Sequence, residues 1–135
     1  MNSNRWAGPI IAAGMVVLAL GCDAKQPAMQ GADCLLAAGC SFRLDGKPIH
    51  VKTGTPPSAA RPFRLEVAAE QAKSVKAQFE MSGMNMTTPV YVLQKSARGW
   101  TAEIVLPVCV SGRSDWVLRL DVDQARIDIP FVASA

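Results

Sequence analysis

Val75-Lys76-Ala77-Gln78-Phe79-Glu80-Met81 decides the fold: Val75, Ala77, Phe79 and Met81 alternate with Lys76, Gln78 and Glu80. A period of two sends the apolar set to one face of an extended strand and the polar set to the other. The segment therefore predicts a strand buried on one side. Upstream, Phe63, Leu65 and Val67 alternate with Arg64 and Glu66 in the same way. Downstream, Trp100, Ala102, Ile104 and Leu106 share one face, and Trp116, Leu118, Leu120 and Val122 share another against Arg119 and Asp121.

Shorter segments fill the intervals. Ser41–Leu44 and Pro48–Lys52 flank Asp45-Gly46, a dipeptide suited to a tight hairpin turn. A Gly/Pro-rich loop spans Thr53–Pro62. Pro89–Gln94 predicts a strand turned by Ala97-Arg98-Gly99 into the Trp100 strand. Ile127, Ile129 and Phe131 predict a closing strand, which Pro130 marks as an edge because proline cannot donate to a ladder. Ala68–Ala72 allows one helical turn at most. Strands recurring at intervals of about ten residues predict an all-β fold: a single antiparallel immunoglobulin-like β-sandwich of about seven to eight strands.

The first residues read as an address. Arg5 precedes an apolar run of fifteen residues, Trp6–Leu20, short of the roughly 18 needed for a spanning helix. Leu18-Ala19-Leu20-Gly21-Cys22 resembles the bacterial lipobox, in which a small residue precedes the cysteine that is lipidated. That resemblance implies a lipoprotein signal peptide over 1–21, lipid attachment at Cys22, and a membrane anchor facing the periplasm. Asp23 then favours the inner membrane. Asp23–Asp33 is polar and aperiodic and predicts a tether within residues 22–33, leaving 34–135 for the sandwich.

Composition narrows the function. The net charge is +3 and the charges are dispersed without a basic run, which argues against nucleic acid. Beyond Cys22 stand Cys34, Cys40 and Cys109. An oxidising compartment permits one disulfide and leaves one thiol. Spacing alone leaves open whether Cys40 pairs with Cys34 or with Cys109; the local Cys34–Cys40 bridge is the favoured expectation.

The methionines are distributed unevenly. Of the six, Met81, Met84 and Met86 fall within Phe79–Met86. A thioether is a soft donor suited to Cu(I), and it also fills irregular gaps in cores. Parity places Met81 in the core, where packing outweighs ligation. Met84 and Met86 follow Ser82-Gly83, where the alternation breaks, and share a face if the segment is extended. They predict a soft-metal edge with a third donor from Met81 or Cys109. Buried thiol or disulfide half is the plainer reading of Cys109. His50, the single histidine, alternates with Ile49 and Val51 and is expected outward and solvated.

Phe79-x-Met81-x-Gly83-Met84-x-Met86, followed by Tyr91, Gly99-Trp100 and Gly112…Trp116-x-Leu118-x-Leu120, resembles the YtkA-like and FixH-like periplasmic domains over Pro62–Val132. The resemblance implies an immunoglobulin-like sandwich that handles copper at Met81, Met84 and Met86. The sequence departs from that pattern in having no histidine beside the motif and Thr87 where a glycine is common.

Catalysis is not expected. His50 has no nucleophile signature nearby, and Glu66, Glu80 and Glu103 alternate with core residues as solvated faces. Cys34 and Cys40 are too far apart in sequence for a Cys-x-x-Cys redox motif. Two functions remain: a lipid-anchored periplasmic protein that binds or hands on Cu(I), partnered by a copper protein or assembly factor, or a metal-free interaction domain whose methionine edge contacts a partner protein.

Overall fold

The computed structural model describes residues 34–85, 87–108 and 112–134. The expected signal peptide, the Cys22 lipid attachment, the whole tether, Met86 and Cys109 lie outside them. Nine strands follow in order: β1 (Cys40–Leu44), β2 (Lys47–Lys52), β3 (Phe63–Ala68), β4 (Val75–Met81), β5 (Tyr91–Val92), β6 (Gln94–Ser96), β7 (Gly99–Ile104), β8 (Asp115–Val122) and β9 (Ala125–Val132). They form a five-stranded sheet, β1-β2-β3-β7-β6, and a four-stranded sheet, β5-β4-β8-β9. Every strand pairing is antiparallel.

The two sheets enclose one apolar core to which both contribute alternate residues. Leu65, Val67 and Ile104 come from one sheet; Val75, Phe79, Met81, Leu118, Leu120, Ile127 and Ile129 from the other. Alternation read from the sequence thus becomes inward and outward faces, as a period of two requires. Trp116 and Trp100 are both buried, and Trp100 Nε1 donates to the Ala69 carbonyl at 3.3 Å. Phe79 stands at the centre, edge-on to Phe63, Tyr91 and Phe131 with centroids 6.0–6.3 Å away.

One local feature differs from the sequence reading. The strand expected over Pro89–Gln94 is broken at buried Leu93: Tyr91–Val92 pairs with β4, whereas Gln94–Ser96 pairs with β7. The chain changes sheets there, so two short strands replace one and the count rises to nine. Leu93 holds the crossing, its side chain in the core and its N–H on the Val75 carbonyl at 3.0 Å. Ala68 ends β3 and Ala69–Ala72 forms a single turn, closed by Ala72 N–H to the Ala69 carbonyl at 3.1 Å, within the one turn that the sequence allows. β9 is an edge strand, as Pro130 requires.

Cys34 and Cys40 form a disulfide, so the local pairing holds. The loop it closes seats Leu36 in the core, and the Leu36 carbonyl accepts from Thr53 N–H at 2.7 Å. Closing so short a loop removes chain entropy from the unfolded state equivalent to about 2 kcal/mol. A Cys34→Ala/Cys40→Ala variant should lose stability of that order in urea unfolding with an unchanged slope. Full retention would mean that the Leu36 seat and its backbone bond hold the loop unaided.

Candidate functional site

The methionine segment begins where β4 ends. Met81, the last strand residue, pairs in register with Trp116 and is fully buried, so its thioether belongs to the core, as its parity predicted. The chain then turns: Met84 N–H donates to the Met81 carbonyl at 3.2 Å, and Gly83, third in the turn, has φ 75°. That is the positive φ of a type II turn, which a side chain resists. Ser82 N–H is held by the Asp115 carbonyl at 3.2 Å. Met84 emerges half-buried, packed against the core margin, while Asn85 is exposed.

The return arm is fastened with equal care. Glu80 and Thr87 form an antiparallel bridge. Thr88 N–H donates to the Phe79 carbonyl at 2.8 Å, and Thr88 Oγ1 accepts from Phe79 N–H at 2.9 Å. Gln78 Nε2 adds a bond to the Thr88 carbonyl at 3.0 Å. The loop carrying Met84 therefore projects from a fixed base of residues 78–81 and 87–88. Nothing in the sequence singled out Thr88; a threonine after a methionine motif looks like ordinary loop polarity until its partner is seen.

The neighbouring segment lies against this turn. The Arg113 guanidinium flanks Gly83, where an added Cβ would lie 3.4 Å from Nη1. Arg113 also makes a two-pronged pair with Asp115, Nε to Oδ1 at 3.1 Å and Nη2 to Oδ2 at 2.8 Å. The local ion pair expected from Arg113–Asp115 is thus present. The pair offsets the positive charge that Arg113 brings beside the loop. Val108 and Gly112, which border the segment holding Cys109, are exposed.

The other candidate residues lie elsewhere. His50 faces outward from β2, its Nδ1 3.0 Å from Ser41 Oγ. Its Nε2 side is pressed against Gly39, where a Cβ would come within 2.6 Å. Among the described residues no carboxylate orients the imidazole. Both residues line an open cleft of about 870 Å³ at the end of the sandwich away from the methionine turn. Its floor includes Leu44, Ile49, Ala69, Ala72, Val122 and Ala125, and charges of both signs surround it. Glu66 is less solvated than expected, with 13% of its side chain exposed between Lys52 at 3.4 Å and Arg98 at 3.9 Å. Glu80 is paired with Arg119 at 3.1 Å. Among the described residues no group of three or more His, Cys, Asp or Glu is arranged to hold a metal ion.

Searches against protein-family models, curated proteins and solved structures found no match to this chain. Function must be argued from the residues and their arrangement.

Two outcomes test the construction of this loop. Thr88→Val should destabilise the protein by about 1–2 kcal/mol, because it strands the buried Phe79 N–H, whereas Thr88→Ser should retain most of the stability. Equal unfolding midpoints for the two variants would show that the hydroxyl does not anchor the loop. The Arg113 bond holds the Asp115 carboxyl below its usual range. Since the folded-state value is the lower one, the pair's contribution is complete above about pH 4 and disappears as the pH falls through the lowered value. A carboxyl NMR titration should find Asp115 titrating below the usual aspartate range, and Arg113→Ala should raise it.

Proposed function

We propose that this is a non-catalytic, lipid-anchored protein of the cell envelope, facing the periplasm, that binds Cu(I) through Met84 and Met86 with a third soft donor from Met81 or Cys109. The observation that carries the reading is the fixed base beneath a turn with half-buried Met84 at its exit. Fastening both arms of a loop limits the entropy lost when its side chains gather on a ligand. The donors present fit the metal: thioethers are soft, neutral ligands that prefer Cu(I) to hard divalent ions. Met84 and Met86 would hold the ion, and Met81 at the root of the turn is the nearer of the candidate third donors along the chain. Its burial means that it joins only if the turn opens slightly. A neutral ligand set at a surface loop holds copper weakly enough to pass to an acceptor, such as a copper protein under assembly. The likeness of Phe79–Met86 to the YtkA-like and FixH-like domains, and their immunoglobulin-like kinship, support the same reading.

A second reading draws on one observation. Val90, Val92, Val105 and Val108 are exposed, and Tyr91 OH joins β5 to the Val105 carbonyl at 3.0 Å. Val90 and Val92, which follow the methionine loop, with Val105 and Val108 after β7, suit an apolar contact with a partner protein, with no metal involved.

Titration with Cu(I) under reducing conditions decides between them. Copper binding should be saturable, one ion per chain, and lost in Met84→Leu/Met86→Leu. Binding unchanged in that variant overturns the copper site and favours the contact surface. Thioethers do not titrate, so affinity should stay level between about pH 5 and pH 7, whereas a Cys109 thiolate donor would make it fall on acidification.

A further inference from the structure

The two outer faces of the sandwich differ in charge. On the four-stranded sheet, Lys76, Arg119 and Arg126 are balanced by Glu80, Asp121 and Asp128. Ion pairs knit them together: Arg119 to Glu80 at 3.1 Å, Arg119 to Asp128 at 3.4 Å and Arg126 to Asp121 at 2.6 Å. On the five-stranded sheet, Arg43, Lys52 and Arg64, with Arg98 of the β6–β7 turn, stand against Glu66, Glu103 and Asp45 of the β1–β2 turn. Lys52 and Arg98 both lean on Glu66, so a single carboxylate answers two cations. Positive charge on the sheet faces is therefore concentrated on this side.

The five-stranded sheet is also where the chain ahead of Cys34 joins the fold. Cys34 is bonded to Cys40, the first residue of edge strand β1. Gly39 of the disulfide loop lies over the outward face of β2: an added Cβ would meet His50 Nε2 at 2.6 Å and Lys52 Cβ at 3.2 Å. Only glycine lets the loop lie that close. Leu35 in the same loop is 77% exposed although its neighbour Leu36 is buried. A solvent-facing leucine, a net-positive sheet face and the entry of the chain thus occupy one region.

We propose that this region seats on anionic lipid headgroups: Lys52, Arg64 and Arg98 meet phosphates while Leu35 enters the headgroup boundary. The proposal rests on the reading of Cys22 as a lipid anchor. Residues 23–33 are too few to carry the domain far from the bilayer, since a chain of that length reaches at most about 40 Å even fully extended. The surface potential of an anionic leaflet decays within a Debye length of about 10 Å, so these basic side chains gain from it only when this face lies against the headgroups, which so short a connection permits. The balanced four-stranded face is left toward the aqueous side, and the methionine turn at the end of the sandwich stays accessible.

Lysine acylation read by mass spectrometry tests this on the lipidated chain reconstituted into vesicles of phosphatidylcholine, alone or mixed with phosphatidylglycerol. The mass of the peptide beginning at Cys22 reports the anchor independently. Acylation of Lys52 should fall about threefold or more on the anionic vesicles, that of Lys76 should not change, and added salt should abolish the difference. Arg64→Ser/Arg98→Ser should restore Lys52 labelling, and Leu35→Ser should restore part of it. An unlipidated Cys22 peptide would overturn both the anchor and this proposal. A lipidated peptide with Lys52 and Lys76 labelled alike on both vesicles would overturn the orientation alone.

Discussion

Phe79 is the point on which the architecture turns. Its ring is fully enclosed and meets Phe63, Tyr91 and Phe131 edge-on, so one side chain on β4 joins both sheets. Edge-to-face pairs add about 0.5–1.5 kcal/mol each beyond area burial, and three converging on one ring fix the spacing of the layers. The backbone of the same residue is occupied by Thr88, N–H to hydroxyl and carbonyl to N–H. Core and loop are therefore coupled through one residue: the side chain sets the sandwich, and the main chain sets the return arm of the methionine turn.

Alternation made most of this fold readable. Where strands are half-buried, parity alone identifies the inward set, and Val75, Ala77, Phe79 and Met81 are all buried as that rule demands. The same rule places His50 outward and Trp100 and Trp116 inward. What parity cannot encode is partnership. Tyr91 to Gln94 looks like one strand because each half obeys the pattern, yet the halves pair with different sheets, which depends on where Leu93 finds room in the core. Glu66 reads as a solvated carboxylate, but Lys52 and Arg98 come from segments distant in sequence to enclose it.

The candidate site was legible in chemistry but not in mechanics. Three closely spaced methionines announce soft donors, and Ser82-Gly83 announces a turn. That Met81 serves the core while Met84 sits at its margin follows from the burial of the strand end. The supports of the turn are Thr88, Gln78 and the Asp115 carbonyl, none of which carries a signal of its own. Met81 thus has a structural duty, whereas Met84 lies half-buried at the core margin.

The disulfide at the start of the domain has a mechanical consequence. Tension on the chain ahead of Cys34 enters the sandwich through the sulfur bridge to Cys40, bypassing the peptide units between them. The loop cannot unreel, and Leu36 is not peeled from its seat when the domain is pulled. Load passes instead to β1, which is zipped to β2 over its whole length from Cys40–Val51 to Leu44–Lys47. The covalent crossing works as a strain relief, separating movement of the leading segment from the packed interior.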